Sequence, residues 1–390
     1  MQPFDLDPHH QKLRGLAAEV AREVVAPNAA RHDRDFSLPV EMLKALHHNG
    51  LLALSVPKAL GGGGCNIVLG DDPLAYLLVL EELGKADMAS THCYQVHQHA
   101  VQMLTVGATG EQQRRYFEPI VDAGEVISWT ATEPGGTARG HYSMLTRAEP
   151  TADGLVVTGE KTYGTLASCA HWTLYHASLP NRPMPQDMIM FMVPRGAPGV
   201  VIDESWWRPL GMRAAVSPRV ELNAVQVLRR DIIQDGGFYA RENYGSRWHL
   251  AFGAAHLGAA SGILEFICEY LPKRGTSANP HSQRTVGEMR VQVEAARSLL
   301  YQAAGYWTGG DIKRAEEFSL MAKLFAMSTA EWITTEAIRV AGSSALFEQH
   351  PLSRQIRNIH VQSTHANLHN TAQTIGRALM DLDFDPANQQ

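Results

Sequence analysis

The stretch Trp129-Thr130-Ala131-Thr132-Glu133-Pro134-Gly135-Gly136-Thr137 stands at a change of periodicity, and its two flanks set the fold. Before it, apolar residues recur at helical spacing. In Lys12 to Val25, the residues Leu13, Leu16, Ala17, Val20, Ala21 and Val24 follow the i, i+3, i+4 rule. Pro27 is expected to end that helix. Val40 to His48 and Leu74 to Leu83 repeat the pattern, and Gly61-Gly62-Gly63-Gly64 reads as a loop between helices. From near Gly124 to Ile232 the signals are those of strands. Leu155 to Thr158, His171 to Ala177, Met188 to Val193 and Arg219 to Val227 are short runs rich in β-formers, parted by Pro and Gly. Beyond Gly237 the helical period returns in Ala251 to Tyr270, Val286 to Trp307 and Ala315 to Val340. Gly253, Ala254, Gly258, Ala259 and Gly262 predict close helix packing there. The expected fold is α+β and multidomain. It has an N-terminal helical domain (1–124), a central β-barrel-like domain (125–232) and a C-terminal four-helix bundle (233–390).

Composition narrows the function. The 390 residues are 45% hydrophobic and 19% charged, ordinary for a globular chain with a large core. A net charge of -6 without a Lys/Arg stripe speaks against a nucleic-acid partner. No run of about 18 uncharged apolar residues is read, so no membrane span is expected. The first residues lack a basic segment followed by an apolar one, so no secretory signal is expected either. Cys65, Cys93, Cys169 and Cys268 are far apart and form no CxxC pair, which disfavours zinc and a disulfide framework. A reduced, cytoplasmic protein is the simpler expectation.

The order helices, β-domain, helices, with the residues at its joints, resembles the acyl-CoA dehydrogenase superfamily over nearly the whole chain. The 129–137 stretch is similar to the family's Thr-Glu-Pro-Gly flavin loop, one residue shorter before the hydroxyl residue. Gly159-Glu160-Lys161-Thr162-Tyr163-Gly164-Thr165 is similar to its Gly-x-Lys-x-aromatic-x-Thr strand. Leu210-Gly211-Met212-Arg213 to Ser217 resembles its Gly-x-Arg turn. Ala337 to Gly342 and Arg354-Gln355-Ile356-Arg357-Asn358 match the segments near its active site. The resemblance implies a bound flavin, FMN or FAD, and a homotetramer. Thr130, Thr132 and Thr165 would offer hydroxyls to it, the turn at Gly135 backbone N–H groups, and Trp129 and Tyr163 flat contacts. Taken alone, Tyr163 is simply a good strand residue. Arg339 and Gly342 are carried over as cofactor residues. Arg274 resembles the family arginine that reaches the neighbouring subunit's cofactor, although the Phe-Gly that usually follows is absent.

One family residue is missing. An acyl-CoA dehydrogenase needs a carboxylate at the substrate α-carbon, usually in a Tyr-Glu-Gly-Thr segment after an Arg-Asp pair. Here that register falls on Ala366, and Asn358 replaces the Asp. The alternative position, before an arginine on the first long C-terminal helix, holds Trp248-His249. The two-component flavin monooxygenases, a branch of the same superfamily, carry a histidine where His365 stands. They also carry turns like Trp207 to Ser217, and a further histidine after an Ala-Asp helix start, as in Ala86-Asp87 to His92 and His97. This branch implies reduced flavin delivered by a separate reductase, O₂ activated as a flavin hydroperoxide, and a small apolar or aromatic substrate. His365 would donate a proton or deprotonate the substrate, His97 is a second catalytic candidate, and His92, Ser168 and Trp248 are substrate candidates. With 18 histidines in the chain, each is also open to a structural reading. His92, His97 and His99 fit no common zinc pattern. Two alternatives remain open. One is a divergent acyl-CoA dehydrogenase or flavin oxidase with an unrecognised base such as Glu242 or Asp87. The other is a scaffold that has lost its site.

Overall fold

The computed structural model describes residues 6–135 and 143–386, so Gly136 and Thr137 of the loop lie outside the described residues. Six helices open the chain: α1 (Pro8–Val20), α2 (Ala26–Asp35), α3 (Val40–His48), α4 (Pro73–Ala86), α5 (Met88–Gly107) and α6 (Gly110–Ala123). The strands are β1 (Ile127–Thr130), β2 (Arg147–Pro150), β3 (Gly154–Lys161), β4 (Trp172–Ser178), β5 (Met188–Pro194), β6 (Val200–Asp203), β7 (Arg219–Leu228) and β8 (Ile232–Ile233). After one helical turn at Phe238–Arg241 come α7 (His249–Lys273), α8 (Pro280–Thr308), α9 (Ile312–Ala341), α10 (Leu352–Ser363) and α11 (Leu368–Leu379).

Pro27 does not end the first helix. The chain passes through a π-turn at Ala21–Val25 directly into α2, with Pro27 in its first turn. Proline lacks an N–H and crowds the carbonyl four residues back; the wider turn before it makes room.

The strands form one sheet in the order β6-β7-β3-β2-β4-β5-β8, with β1 running parallel beside β4. β5 shows how the sheet is used. Met188, Met190 and Met192 face the core shared with the helices, while Ile189, Phe191 and Val193 join Val157, Tyr175, Val220 and Leu222 in a second core. Burial on both faces explains why β5 reads as a continuous apolar run rather than an alternating one.

The central helix is α7. The segment Tyr244–Lys273 is long and apolar enough to cross a membrane by length and composition, which the sequence reading did not register. In the fold its most apolar window is 78% buried, because α4, α8 and α9 surround it. A helix hydrophobic all round is one covered all round. Its small residues set the spacing. A Cβ on Gly258 would stand 2.3 Å from the Glu81 carbonyl oxygen, and one on Gly262 2.2 Å from that of Lys85. Beside this seam the buried Glu81 carboxylate meets Arg297 Nη2 at 2.8 Å and accepts from the Tyr301 hydroxyl at 2.7 Å. We therefore expect Gly258→Ala to cost about 1–3 kcal/mol, because backbone must move. Gly287→Ala, on an open face of α8 with nothing within 4 Å, should instead stabilise by up to about 1 kcal/mol. Denaturant titration of the two variants checks the opposite signs.

Candidate active site

The motif loop is locked before it can offer anything to a ligand. Lys161, fully buried on β3, places Nζ 2.7 Å from Glu133 Oε1. The N–H groups of Leu145 and Thr146 also donate to the Glu133 carboxylate. Burial alone would raise the pKa of Glu133, but Lys161 and these donors outweigh it and hold it below the usual value. The glutamate of one motif and the lysine of the next are therefore a single clasp. Sequence reasoning missed this pairing, although a lysine inside a strand of an inner sheet was its signal.

The clasp fixes a row of hydroxyls. Ser128 Oγ donates to the Thr165 carbonyl at 2.7 Å and lies 3.4 Å from Thr130 Oγ1. Thr165 Oγ1 and Ser217 Oγ are 2.7 Å apart. Thr132 is exposed at the loop, where its carbonyl accepts from Thr162 N–H, and Gly135 is exposed beside it. The Ser168 hydroxyl is buried without a partner among the described residues. Tyr163, Leu166, Met212 and Val216, on the two loops joined by Thr165 and Ser217, all have positive φ. Such strain, about 1–3 kcal/mol per residue, clusters where a ligand is held. Neutral hydroxyls, one orphaned hydroxyl and the indole of Trp129 suit the polar edge and flat face of a flavin ring. Tyr163 turns its ring outward, edge-on to Trp206 and Trp207.

From Trp129 a chain of ring contacts runs into the helical core. Trp129 meets Trp248 at 5.4 Å, Trp248 meets His99 at 4.4 Å, His99 meets Phe252 at 6.3 Å, and Phe252 stacks on His365 at 4.6 Å. Three elements build this cleft. α5 contributes His92, Gln95 and His99 at i, i+3, i+7. The start of α7 contributes Trp248, Phe252 and His256 at i, i+4, i+8. The turn after α10 contributes His365. Ring contacts thus link Trp129, Trp248 and His365, and His92 lies on the same face of α5 as His99. Two grooves lie elsewhere. One, of about 480 Å³, is lined by Leu299, Met321, Leu324, Phe325, Ser328 and Ile375 and has no ionisable group; the other, of about 450 Å³, borders the Gly63-Gly64 loop.

The cleft is electrostatically unusual. Burial pushes His92 and His99 down to about 3, and His256 and His365 down to about 4. Their charged forms repel one another, and Lys323 depresses His365 and His256 further. His365 is exposed in the turn after α10, where its ring stacks on Phe252. With its pKa pushed down to about 4, it is neutral at pH 7 and has no surplus proton to give. Of the two roles expected of His365, proton donor and base, the neutral ring fits the second, as a proton acceptor or a hydrogen-bond partner. No described carboxylate acts on these four rings. Asp87 is held by Arg354 Nε at 3.1 Å, Asn358 Nδ2 at 3.1 Å and the Ser90 N–H and hydroxyl. Glu242 is exposed and pairs with Arg241. Asn358 also accepts from Met212 N–H at 2.7 Å, so it must donate and accept at once. An aspartate there would set a second carboxylate against Asp87.

His97 has another role than the catalytic one expected. It points away from the cleft, with Nε2 at 3.1 Å from the Leu52 carbonyl and Nδ1 accepting from Ile127 N–H at 3.1 Å. Both nitrogens are used to brace β1 against the helices. Burial pushes its pKa down to about 4. His97, His99 and His256 thus stay neutral in the fold, while the unfolded chain protonates them near pH 6.5. Their contribution is complete above about pH 6.5 and is lost as pH falls toward about 4, by about 1.4 kcal/mol per histidine per pH unit. Unfolding curves at pH 7.5, 6.5 and 5.5 should show a steep loss below 6.5; a flat profile would contradict the buried neutral rings.

The remaining cofactor candidates sit apart, with contacts confined to the C-terminal bundle. Arg274 Nη1 donates to the Ala341 carbonyl at 2.8 Å and to Ser344 Oγ at 2.5 Å. Gly342 ends α9 with φ 73°, close beside Arg274. Arg339 is exposed and pairs with Glu336. Within one chain nothing brings this cluster to the hydroxyl row.

Comparison with known proteins agrees with this architecture. Residues 7–124 match the acyl-CoA dehydrogenase N-terminal domain, 128–225 its middle domain and 250–370 its C-terminal domain. The chain is 25% identical to a 3-(aryl)acrylate reductase of Clostridium sporogenes, over 90% of this chain and 93% of that one. It is 26% identical to the mitochondrial short-chain specific acyl-CoA dehydrogenase of Mus musculus, over 92% and 87%. Among solved structures, the dibenzothiophene monooxygenase TdsC of Paenibacillus sp. A11-2 superposes with a TM-score of 0.84 at 19% identity, covering 97% of this chain and all of that one. With three consecutive domains matched and the clasp, hydroxyl row and cleft in place, the chain belongs to the acyl-CoA dehydrogenase superfamily of flavin oxidoreductases.

Proposed function

We propose that this protein is a flavin-dependent monooxygenase that uses O₂ and reduced flavin, FMN or FAD, from a separate reductase. Its substrate is small and apolar or aromatic. The observation that carries the reading is the cleft without an acid: its facing ionisable rings are neutral histidines, and Asp87 and Glu242 are engaged elsewhere. Thr130, Thr165, Ser168 and Trp129 would hold the flavin ring, with Ser217 positioning Thr165. When bound, reduced flavin supplies the electrons that activate O₂. Trp248, Phe252 and His99 enclose the substrate and exclude water, which protects an oxygen-transfer step. His365 accepts a proton from a substrate hydroxyl or N–H, or orients that group by a hydrogen bond. The likeness to TdsC, one of whose structures holds FMN and indole, is consistent with an aromatic ligand. The apolar groove on α8, α9 and α11 supports a homotetramer packed through its C-terminal helices.

A second reading draws on the sequence relatives, several of which are acyl-CoA dehydrogenases. It requires a base not recognised in the cleft. Anaerobic mixing of the flavin-loaded protein with butyryl-CoA and phenylpropionyl-CoA separates the two. We expect the oxidised flavin spectrum to persist, and we expect reduced flavin with isotope-labelled O₂ and indole to place one labelled oxygen in product. Bleaching of the flavin by either thioester would establish the dehydrogenase instead.

A further inference from the structure

Among the described residues, the buried lysines and arginines carry carboxylate partners, with one exception. Arg297 pairs with Glu81 and Glu294, Lys161 with Glu133, and Arg354 with Asp87. Lys323 of α9 is only 2% exposed and pairs with no described carboxylate. It packs where α7 leaves space: a Cβ on Gly253 would lie 3.5 Å from Lys323 Cα. Its Nζ has a single hydrogen-bond partner, His249 Nδ1 at 3.3 Å. His249 Nε2 in turn meets the Pro386 carbonyl at 2.6 Å, so the ring accepts from the lysine and donates to the tail. Two of the three ammonium donors have no partner among the described residues.

The position of this charge matters. His249, Phe252, Gly253 and His256 share one face of α7 at i, i+3, i+4, i+7, and Lys323 lies against that face. Its charge is felt at His365, which stacks on Phe252 of that face, and at His256, whose Nε2 is 3.4 Å from Ser363 Oγ. The groups facing it are histidines, with no acid to offset it. An uncompensated buried ammonium is costly in a low-dielectric core. A ligand of opposite charge recovers that cost on binding.

We propose that Lys323 is the counter-charge for the substrate, and that the cleft takes a small organic acid as its carboxylate. Its charged end turns toward Lys323 and His365, and its apolar part lies among Phe252, Trp248 and His99. The proposal rests on the cleft being the substrate site, not on the oxygen chemistry, so it stands or falls separately from the acyl-CoA test above.

The test uses the full flavin-loaded chain at pH 7.5. Acetate, benzoate and phenylacetate are compared with acetamide, benzamide and phenylacetamide, by calorimetry and by perturbation of the flavin spectrum. We expect at least one carboxylate to bind at least tenfold tighter than its amide. Lys323→Met should erase that preference while leaving the melting temperature equal or higher, since it removes an unpaired buried charge. Lys323→Arg should keep part of the preference. Three results would overturn the proposal: no carboxylate binds, amides bind as well as carboxylates, or Lys323→Met keeps the preference. Loss of stability in Lys323→Met with selectivity intact would assign the lysine to packing alone.

Discussion

Lys161→Met should destabilise the protein by about 3–5 kcal/mol and abolish flavin binding. The substitution takes the Lys161 ammonium away from the buried Glu133 carboxylate, and removal of one partner from a buried pair carries a penalty of about that size. The effect on flavin follows from geometry. Glu133 holds the N–H groups of Leu145 and Thr146, and Lys161 also donates to the Ala131 carbonyl at 3.3 Å. Freed of the clasp, the loop after β1 would no longer keep Thr130 and Trp129 in place. The double variant Lys161→Met, Glu133→Leu discriminates between loss of charge balance and loss of shape. It should recover much of the stability, because a buried ion pair exchanged for apolar groups is often neutral. Calorimetric unfolding of both variants decides the matter, and a loss below about 1 kcal/mol in Lys161→Met would show that the pair is not the clasp.

His365→Ala should lower oxygenated-product turnover by about 10²–10⁴-fold with flavin still bound, the range for removal of a positioned proton-transfer group. The ring stacks on Phe252 in an exposed turn, so its removal costs little of the fold. His365→Gln, which retains a hydrogen-bonding head without an imidazole, separates proton transfer from orientation. Recovery of turnover in His365→Gln would assign His365 to positioning. Unchanged turnover in His365→Ala would remove it from the mechanism.

Much of the architecture was legible because periodicity is a local property. The long runs within α7, α8 and α9 and the β-rich runs of β3, β4, β5 and β7 all stand where the spacing placed them. β1, β2, β6 and β8 escaped notice because two to four residues carry no period. Their pairing depends on partners distant in sequence, such as β1 with β4. The site divides along the same line. Trp129, Trp248 and His365 were legible as candidates, yet not the ring-to-ring path that joins them. His97 misled because a helix presents more than one face, and its register with Leu52 and Ile127 is a tertiary fact. Lys323 gave no signal at all. A lysine within an amphipathic pattern reads as solvated until its neighbours prove otherwise.

The seam between α4 and α7 has a consequence for biosynthesis. Eleven of the fourteen residues of α4 are buried, largely against α7, and Glu81 finds Arg297 only 216 positions later. At about 5–20 residues per second, a ribosome needs roughly 10–40 s to travel from the end of α4 to that arginine. Throughout that interval an apolar helix and an unpaired carboxylate await partners that do not yet exist. The first helices therefore cannot reach their final state until the last third emerges.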